Sequence, residues 1–484
     1  MSTMTTLGTP EQLRDPNYTP PLASAVPLGI QHVLAMFVSN VTPAIIVAGA
    51  AGFGFGSNSP DFPDMIYMIQ MSMLFAGITT LFQTIGAGPV GARLPIVQGT
   101  SFAFIPIMIP LVAGKGVEAM GLLMCGVIIG GLFHACLGFF IGKIRFALPP
   151  LVTGLVVTMI GLALVQVGIQ YAAGGVPAMN QLANELAAAK ASGDAANFSA
   201  IEYGSLLNWC IALLVVVVTL GVKFFTRGMI SVSAVLIGLI VGYAVSWIFG
   251  MVSFSSVASA AVFALPNPFH FGFEFSIAAI IGFCLMAFVS AVETVGDVSG
   301  VTKGGAGREP TSDEIRGATF ADGVGTAVAG VFGALPNTSF SQNVGLIAMT
   351  GVMSRNVVTI GAIFLIIAGF IPKIGAIVSS VPIEVLGGGV IVMFGMVVAA
   401  GISMLSDVNW NRRNMVIFAI SISIGLGLQL EPNALFFMPP TVKVLLTSGI
   451  LPAAFIAIVL NLLLPEELDD DQTDEIAGGH AGHK

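Results

Sequence analysis

Long apolar runs separated by short polar loops recur from about residue 25 to residue 465, a pattern that predicts an all-α polytopic membrane protein. With a rise of ~1.5 Å per residue, about 14 of these runs are long enough to cross a hydrocarbon core of roughly 30 Å, or about 12 if short and broken runs do not all cross. Two runs are interrupted by Pro, Gly, Ser and Thr. The stretch Gly91-Ala92-Arg93-Leu94-Pro95 leads into Thr100-Ser101-Phe102, and Gly333-Ala334-Leu335-Pro336 leads into Thr338-Ser339-Phe340. This near-repeat, half a chain apart, predicts an internal duplication with a short extended segment in each half. Pro95 and Pro336 open the backbone there and leave N–H groups that a facing strand or a ligand has to pair. If each half holds an odd number of spans, seven, the second half inserts upside down and the two segments meet antiparallel around a cavity.

Composition excludes a soluble globule, since 56% of residues are hydrophobic and only 9% charged. The formal charge of −8 arises largely from the tail 466–484, which carries Glu466, Glu467, Asp469, Asp470, Asp471, Asp474 and Glu475. Such a tail is expected to stay solvated, and the near-neutral remainder gives no reason to expect nucleic acid as a partner. The first 24 residues are polar and lack the order of regions that makes a signal peptide, so the N-terminus is expected to be retained. Loops with Lys143 and Arg145, Lys223 and Arg227, Lys303, Arg308 and Arg316, and Arg412 and Arg413 alternate with loops that carry acids. The positive-inside rule places the basic loops in the cytoplasm, and an even number of spans then puts both termini there too. Cys125, Cys136, Cys210 and Cys284 lie in apolar segments without metal-ligand spacing, and are expected to pack rather than bind metal.

An ionisable group inside a span is costly, at least ~2.5 kcal/mol on insertion scales, so each one calls for a reason. Glu293 and Asp297, four residues apart, share one helical face near the end of the run 276–292. Glu293 is expected to face a cavity and accept hydrogen bonds from N–H groups of a polar ligand; the competing reading is a carboxylate reaching water at a helix end. Asp322 lies among small residues and reads equally as a proton-linked or a structural acid. His32, beside Gln31 in the first span, reads as a buried core group or a titrating one. In the second broken run Gln342 and Asn343 follow the extended piece. A carboxamide offers donor and acceptor together, so Gln342 opposite Glu293 matches the edge of a purine or pyrimidine ring, with Phe102 and Phe340 placed to stack on its faces. The chain lacks the motifs of a membrane enzyme and the repeated filter loops of a channel. An anion carrier of similar build is the nearest rival, and a carboxylate in the pocket argues against it.

These motifs together resemble the nucleobase-ascorbate transporter family, and within it the bacterial xanthine and uric acid permeases. The resemblance runs over about residues 25–465 and rests on Gln31-His32, on Gln98-Gly-Thr-Ser-Phe102, on Glu293-Thr-Val-Gly-Asp297, and on Gln342-Asn343-x-Gly345 with Thr350-Gly351. It implies 14 spans in two inverted repeats of seven, with extended segments in spans 3 and 10. A core domain would comprise 25–145 (spans 1–4) and 274–374 (spans 8–11), and a gate domain 146–273 (spans 5–7) and 375–465 (spans 12–14), flanked by cytoplasmic tails 1–24 and 466–484. The implied activity is proton-coupled, elevator-like import of xanthine or uric acid across the inner membrane by a homodimer without cofactor or metal; a uracil or other nucleobase symporter is the alternative. Glu293, Gln342, Ser101, Phe102 and Phe340 would bind substrate, Ser101 also tuning xanthine against urate. His32, Glu293, Asp297, Asp322 and Asn343 would shape the site or couple it to protons. Gly351 is like the xanthine-selective motif, while Val344 departs from the Asn-Asn-Gly form.

Overall fold

A computed structural model describes residues 7–53, 61–144, 149–192, 202–406 and 408–465; the acidic tail 466–484 lies outside them. The first half of the chain gives α1 (Leu22–Ala51), α2 (Phe62–Ile85), β1 (Gln98–Thr100), α3 (Ile105–Val112), α4 (Met120–Leu137), α5 (Pro150–Ala172), α6 (Leu206–Phe225) and α7 (Ala234–Ile248). The second half gives α8 (Ile277–Val301), α9 (Ser312–Val331), β2 (Asn337–Ser339), α10 (Ser341–Thr350), α11 (Arg355–Gly369), α12 (Ile383–Leu405), α13 (Arg412–Leu430) and α14 (Ile450–Leu463). Local sequence sets many of the boundaries. Ser205 and Ser276 cap the starts of α6 and α8 through their side chains, and Thr311 with Glu314 forms a capping box at α9.

Among the described residues, 8 helices are long and apolar enough to cross a membrane, or up to 10 if two sharply bent pairs each count as one span. The bent pairs are α11 with Pro372–Ser379, at 83°, and Pro440–Leu446 with α14, at 75°. The other apolar stretches fall short of that test for local reasons. The helix α7 is only 15 residues long, α9 is diluted by Gly, Thr and Asp, and β1–α3 and β2–α10 are each part strand and part helix. The prolines predicted to break the third and tenth runs do so, and the backbone continues as strand before turning helical again.

Packing repeats between the halves with a shift of seven helices. The contact of α4 with α9 recurs as α11 with α2, that of α1 with α11 as α8 with α4, and that of α6 with α7 as α13 with α14. The α5–α12 contact maps onto itself. Helices α1–α4 pack mainly with α8–α11, and α5–α7 with α12–α14. Small residues permit the closest crossings: a Cβ on Gly323 would lie 2.1 Å from the Ala135 backbone nitrogen, so α9 and α4 meet backbone to backbone.

The strands β1 and β2 pair antiparallel at the centre, with Gln98 opposite Ser339, Gly99 opposite Thr338 and Thr100 opposite Asn337. The local two-fold through the Gly99–Thr338 pair relates Thr100 to Ser339, so the repeated Thr-Ser-Phe letters are one residue out of register with the structural repeat. The physical reason is the approach to each strand, which takes residues 86–97 in the first half and only 332–336 in the second. Gly99 is needed at the crossing, because a Cβ there would meet the Phe340 ring at 2.6 Å. Of the four cysteines Cys125 is buried and Cys284 partly so, while Cys136 and Cys210 are exposed on the surface of their helices.

Candidate functional site

A cavity of about 380 Å³ opens where the two-stranded ribbon faces the α5–α7 and α12 side of the molecule. Its polar wall comes from Glu293 on α8, from Thr338 and Ser339 on β2, and from Ser341 and Gln342 at the start of α10. The Phe102 and Phe340 rings join that wall, and Val157, Ile160, Val392 and Met396 close the opposite side. The start of α10 has no side-chain cap; the Asn343 N–H donates to the Phe340 carbonyl at 3.0 Å, and those of Ser341 and Gln342 stay available to a bound group.

Three carboxylates cluster here, Glu293 in the wall and Asp297 and Asp322 behind it, each with its own surroundings. One Glu293 oxygen, Oε2, is buried without a hydrogen-bond partner among the described residues. The Glu293 side chain lies beside Thr338, whose hydroxyl oxygen accepts from Ser290 at 3.1 Å. Asp297 is fully engaged: Ser339 donates to it at 2.6 Å and Ser341 at 2.7 Å, so it holds two cavity-wall serines from behind. Asp322 accepts from Gln98 at 2.6 Å, from Gln83 at 2.9 Å and from the Thr294 hydroxyl. That one carboxylate ties α2, β1 and α8 to α9, and a fully desolvated acid keeps such a place only when its lone pairs are satisfied.

Gln342 lines the cavity, and its amide has no protein partner among the described residues. Its neighbour Asn343 turns the other way, donating to His32 Nδ1 at 3.0 Å and to the His32 carbonyl at 3.1 Å, which locks α10 to α1. The expected residues thus divide in two. Glu293, Gln342, Phe102 and Phe340 line the cavity, while Asp297, Asp322, Asn343 and His32 lie behind it and hold its wall. Ser101 is not part of the lining: its N–H donates to Pro336 at 2.8 Å and its hydroxyl accepts from the Ala103 N–H at 3.3 Å. Phe102 meets Phe394 of α12 edge-on, with centroids 5.3 Å apart.

Other side chains complete the site without having stood out in the sequence. Asn40 accepts from the Thr100 N–H at 2.9 Å and donates to the Ser72 carbonyl at 3.1 Å. The outward N–H groups of Gln98 and Asn337 are taken by the hydroxyls of Thr80 and Thr326, whereas that of Ser339 meets no acceptor among the described residues.

Comparison with known proteins agrees with this build. Residues 23–191 and 181–434 match the model of a permease family, Xan_ur_permease. The chain is 34% identical over 453 residues to the uric acid permease PucJ of Bacillus subtilis, covering 92% of this chain and 95% of that one. It is 33% identical over 459 residues to the xanthine permease XanQ of Escherichia coli, covering 92% of each. Among solved structures, the transmembrane domain of the cyanobacterial bicarbonate transporter BicA is similar in fold, with a TM-score of 0.54 at 14% identity over 91% of this chain and 97% of that one. The murine anion transporter Slc26a9 in its inward-facing state has a TM-score of 0.57 at 13% identity, covering 92% of this chain and 68% of that one.

Proposed function

The chain belongs to the Xan_ur_permease family of permeases, and from that premise we propose that it imports a purine base, xanthine or uric acid or both, together with protons. One observation carries the reading. Glu293, which keeps one buried carboxylate oxygen without a partner, and Gln342, whose amide has none among the described residues, line one cavity of about 380 Å³ together with Phe102 and Phe340. A flat heterocycle with N–H donors and adjacent carbonyls satisfies both groups at once: the carboxylate takes ring N–H, the carboxamide pairs with a donor–acceptor edge, and Phe102 and Phe340 cover the faces. The Ser341 and Gln342 N–H groups at the start of α10 add donors for a ring carbonyl. A small anion of the kind named for the structural neighbours fits less well, because it offers no ring face to Phe102 and Phe340.

Coupling follows from the same acid. A proton taken up from outside neutralises the Glu293 region as the purine enters, and both leave inward when the site changes sides. In this reading α1–α4 with α8–α11 form a core that carries the site, and α5–α7 with α12–α14 form a gate against which it moves in an elevator-like step. The gate also holds the homodimer together. His32, Asp297, Asp322 and Asn343 shape the site or couple it to protons, and both termini lie in the cytoplasm of a cell whose inner membrane houses the protein.

The test is uptake of radiolabelled xanthine by permease-deficient cells, with unlabelled urate, uracil, hypoxanthine and ascorbate as competitors, with and without a protonophore. Protonophore-sensitive uptake blocked by urate and untouched by uracil is the expected result. Uptake that uracil alone blocks would move the substrate to pyrimidines, and no uptake of any nucleobase by protein present in the membrane would overturn the reading.

A further inference from the structure

The two-stranded ribbon has outer edges as well as an inner seam. In the seam, Ser101 N–H donates to Pro336 at 2.8 Å and Phe340 N–H to Val97 at 3.0 Å. Alternate residues of an antiparallel pair turn their N–H groups outward, which here are Gln98 and Thr100 on β1 and Asn337 and Ser339 on β2. At membrane depth such groups have to be satisfied by protein unless they line a water-filled cavity, as Ser339 does.

On each strand a threonine does this for one residue. Thr80 Oγ1 accepts from the Gln98 N–H at 2.9 Å and lies 3.5 Å from the carbonyl oxygen of the same residue, to which it donates. Thr326 Oγ1 accepts from the Asn337 N–H at 3.0 Å and donates to the Asn337 carbonyl at 3.2 Å. The ribbon's two-fold relates Gln98 to Asn337. The two threonines obey the same symmetry, each lying five residues before the last residue of its helix, Ile85 of α2 and Val331 of α9. Both are buried, and neither lines the cavity.

We propose that Thr80 and Thr326 are a symmetric pair of positioning residues that clamp the ribbon by its outer edges and so fix the register in which Glu293, Gln342 and the two phenylalanines converge. This rests on the reading of the cavity as the purine site. Each hydroxyl fills the donor and the acceptor of one strand residue, so its loss frees that residue to shift along the seam, and a shift of even one residue turns its side chain to the other face. Asn40 secures the next outward N–H of β1, that of Thr100. On β2 the corresponding residue is Ser339, so Thr326 is the only side chain that secures an outward N–H of that strand among the described residues.

The experiment compares initial rates of purine uptake by the wild type, T80V, T326V, the double valine variant, and T80S and T326S. Valine keeps the shape and removes the hydroxyl; each valine variant is expected to raise KM by about tenfold at a little-changed maximal rate per transporter, as loss of one buried hydrogen-bonding group would. Serine keeps the hydroxyl and is expected to return KM to within about twofold of wild type. Both threonines hold one ribbon, so the double variant should lose less than the product of the single effects. KM does not depend on how much protein reaches the membrane, and where valine prevents insertion, T80C and T326C, with a poor hydrogen-bonding thiol, serve instead. Membrane-inserted valine or cysteine variants with wild-type KM would overturn the proposal, as would serine variants as impaired as valine. A wild type that takes up no purine defeats the functional reading itself; a wild type that transports alongside unaltered variants defeats only the threonine clamp.

Discussion

At the scale of the residue, two side chains with unfilled hydrogen-bonding capacity define what the cavity asks for. Glu293 keeps one oxygen without a partner, so replacing it with glutamine preserves the volume and removes both the charge and a protonatable group. Glu293→Gln is therefore expected to abolish accumulation against a gradient in the uptake assay, and robust protonophore-sensitive accumulation by that variant would take Glu293 out of the coupling step. Gln342 acts by pairing, not by charge. Q342A should weaken purine affinity by roughly 1 to 3 kcal/mol, read as the shift in half-maximal competition, and an unchanged value would mean that the ring is held elsewhere. Asp297 and Asp322 differ from Glu293 in that serine, threonine and glutamine donors occupy their oxygens. They organise the wall, and of the three acids Glu293 is the one that lines the cavity and keeps an oxygen without a partner among the described residues.

At the scale of the element, the two strand–helix pieces depend on how closely their neighbours approach. The α4–α9 crossing leaves no room at Gly323, and Gly323→Val is expected to destabilise the protein by on the order of 1 to 3 kcal/mol or more, seen as earlier thermal unfolding in detergent. An unchanged unfolding temperature would mean that the two helices separate at no cost. Much of this architecture was legible in the sequence. Prolines before Thr-Ser-Phe marked both breaks, a count of seven runs per half would make the two segments meet antiparallel as β1 and β2 do, and carboxylates stood out because charge in an apolar run is rare. What was not legible follows from the physics of threonine and asparagine. A threonine in a helix ordinarily bonds its hydroxyl back to the carbonyl four residues earlier, as Thr42, Thr158 and Thr319 do here. Thr80 and Thr326 carry the same letter in the same setting and reach across to a strand instead, and only the three-dimensional path of the ribbon distinguishes them. The one-residue slip of the repeat has a similar origin, since lead-ins of unequal length carry the same letters to different points on the two-fold.

At the scale of the whole molecule, the cavity lies between two groups of helices, so relative movement of those groups would open it to one side or the other. Ser39 on α1 and Met393 on α12 meet across that boundary, hydroxyl to sulfur at 3.2 Å. In a chain freed of its four cysteines, the pair S39C/M393C should cross-link under oxidation and halt uptake, and a reductant should restore it. Full transport by the cross-linked protein would show that the groups need not part. The ribbon at the centre has one more property, which belongs to isotope chemistry. Three of its outward amide hydrogens are tied to Thr80, Asn40 and Thr326, while that of Ser339, on the cavity wall, is not. In heavy water the first three exchange only when the ribbon comes loose; the fourth exchanges whenever water fills the cavity and stops when a ligand displaces it. A single backbone hydrogen would thereby keep a record of occupancy that needs no dye or substitution to be read.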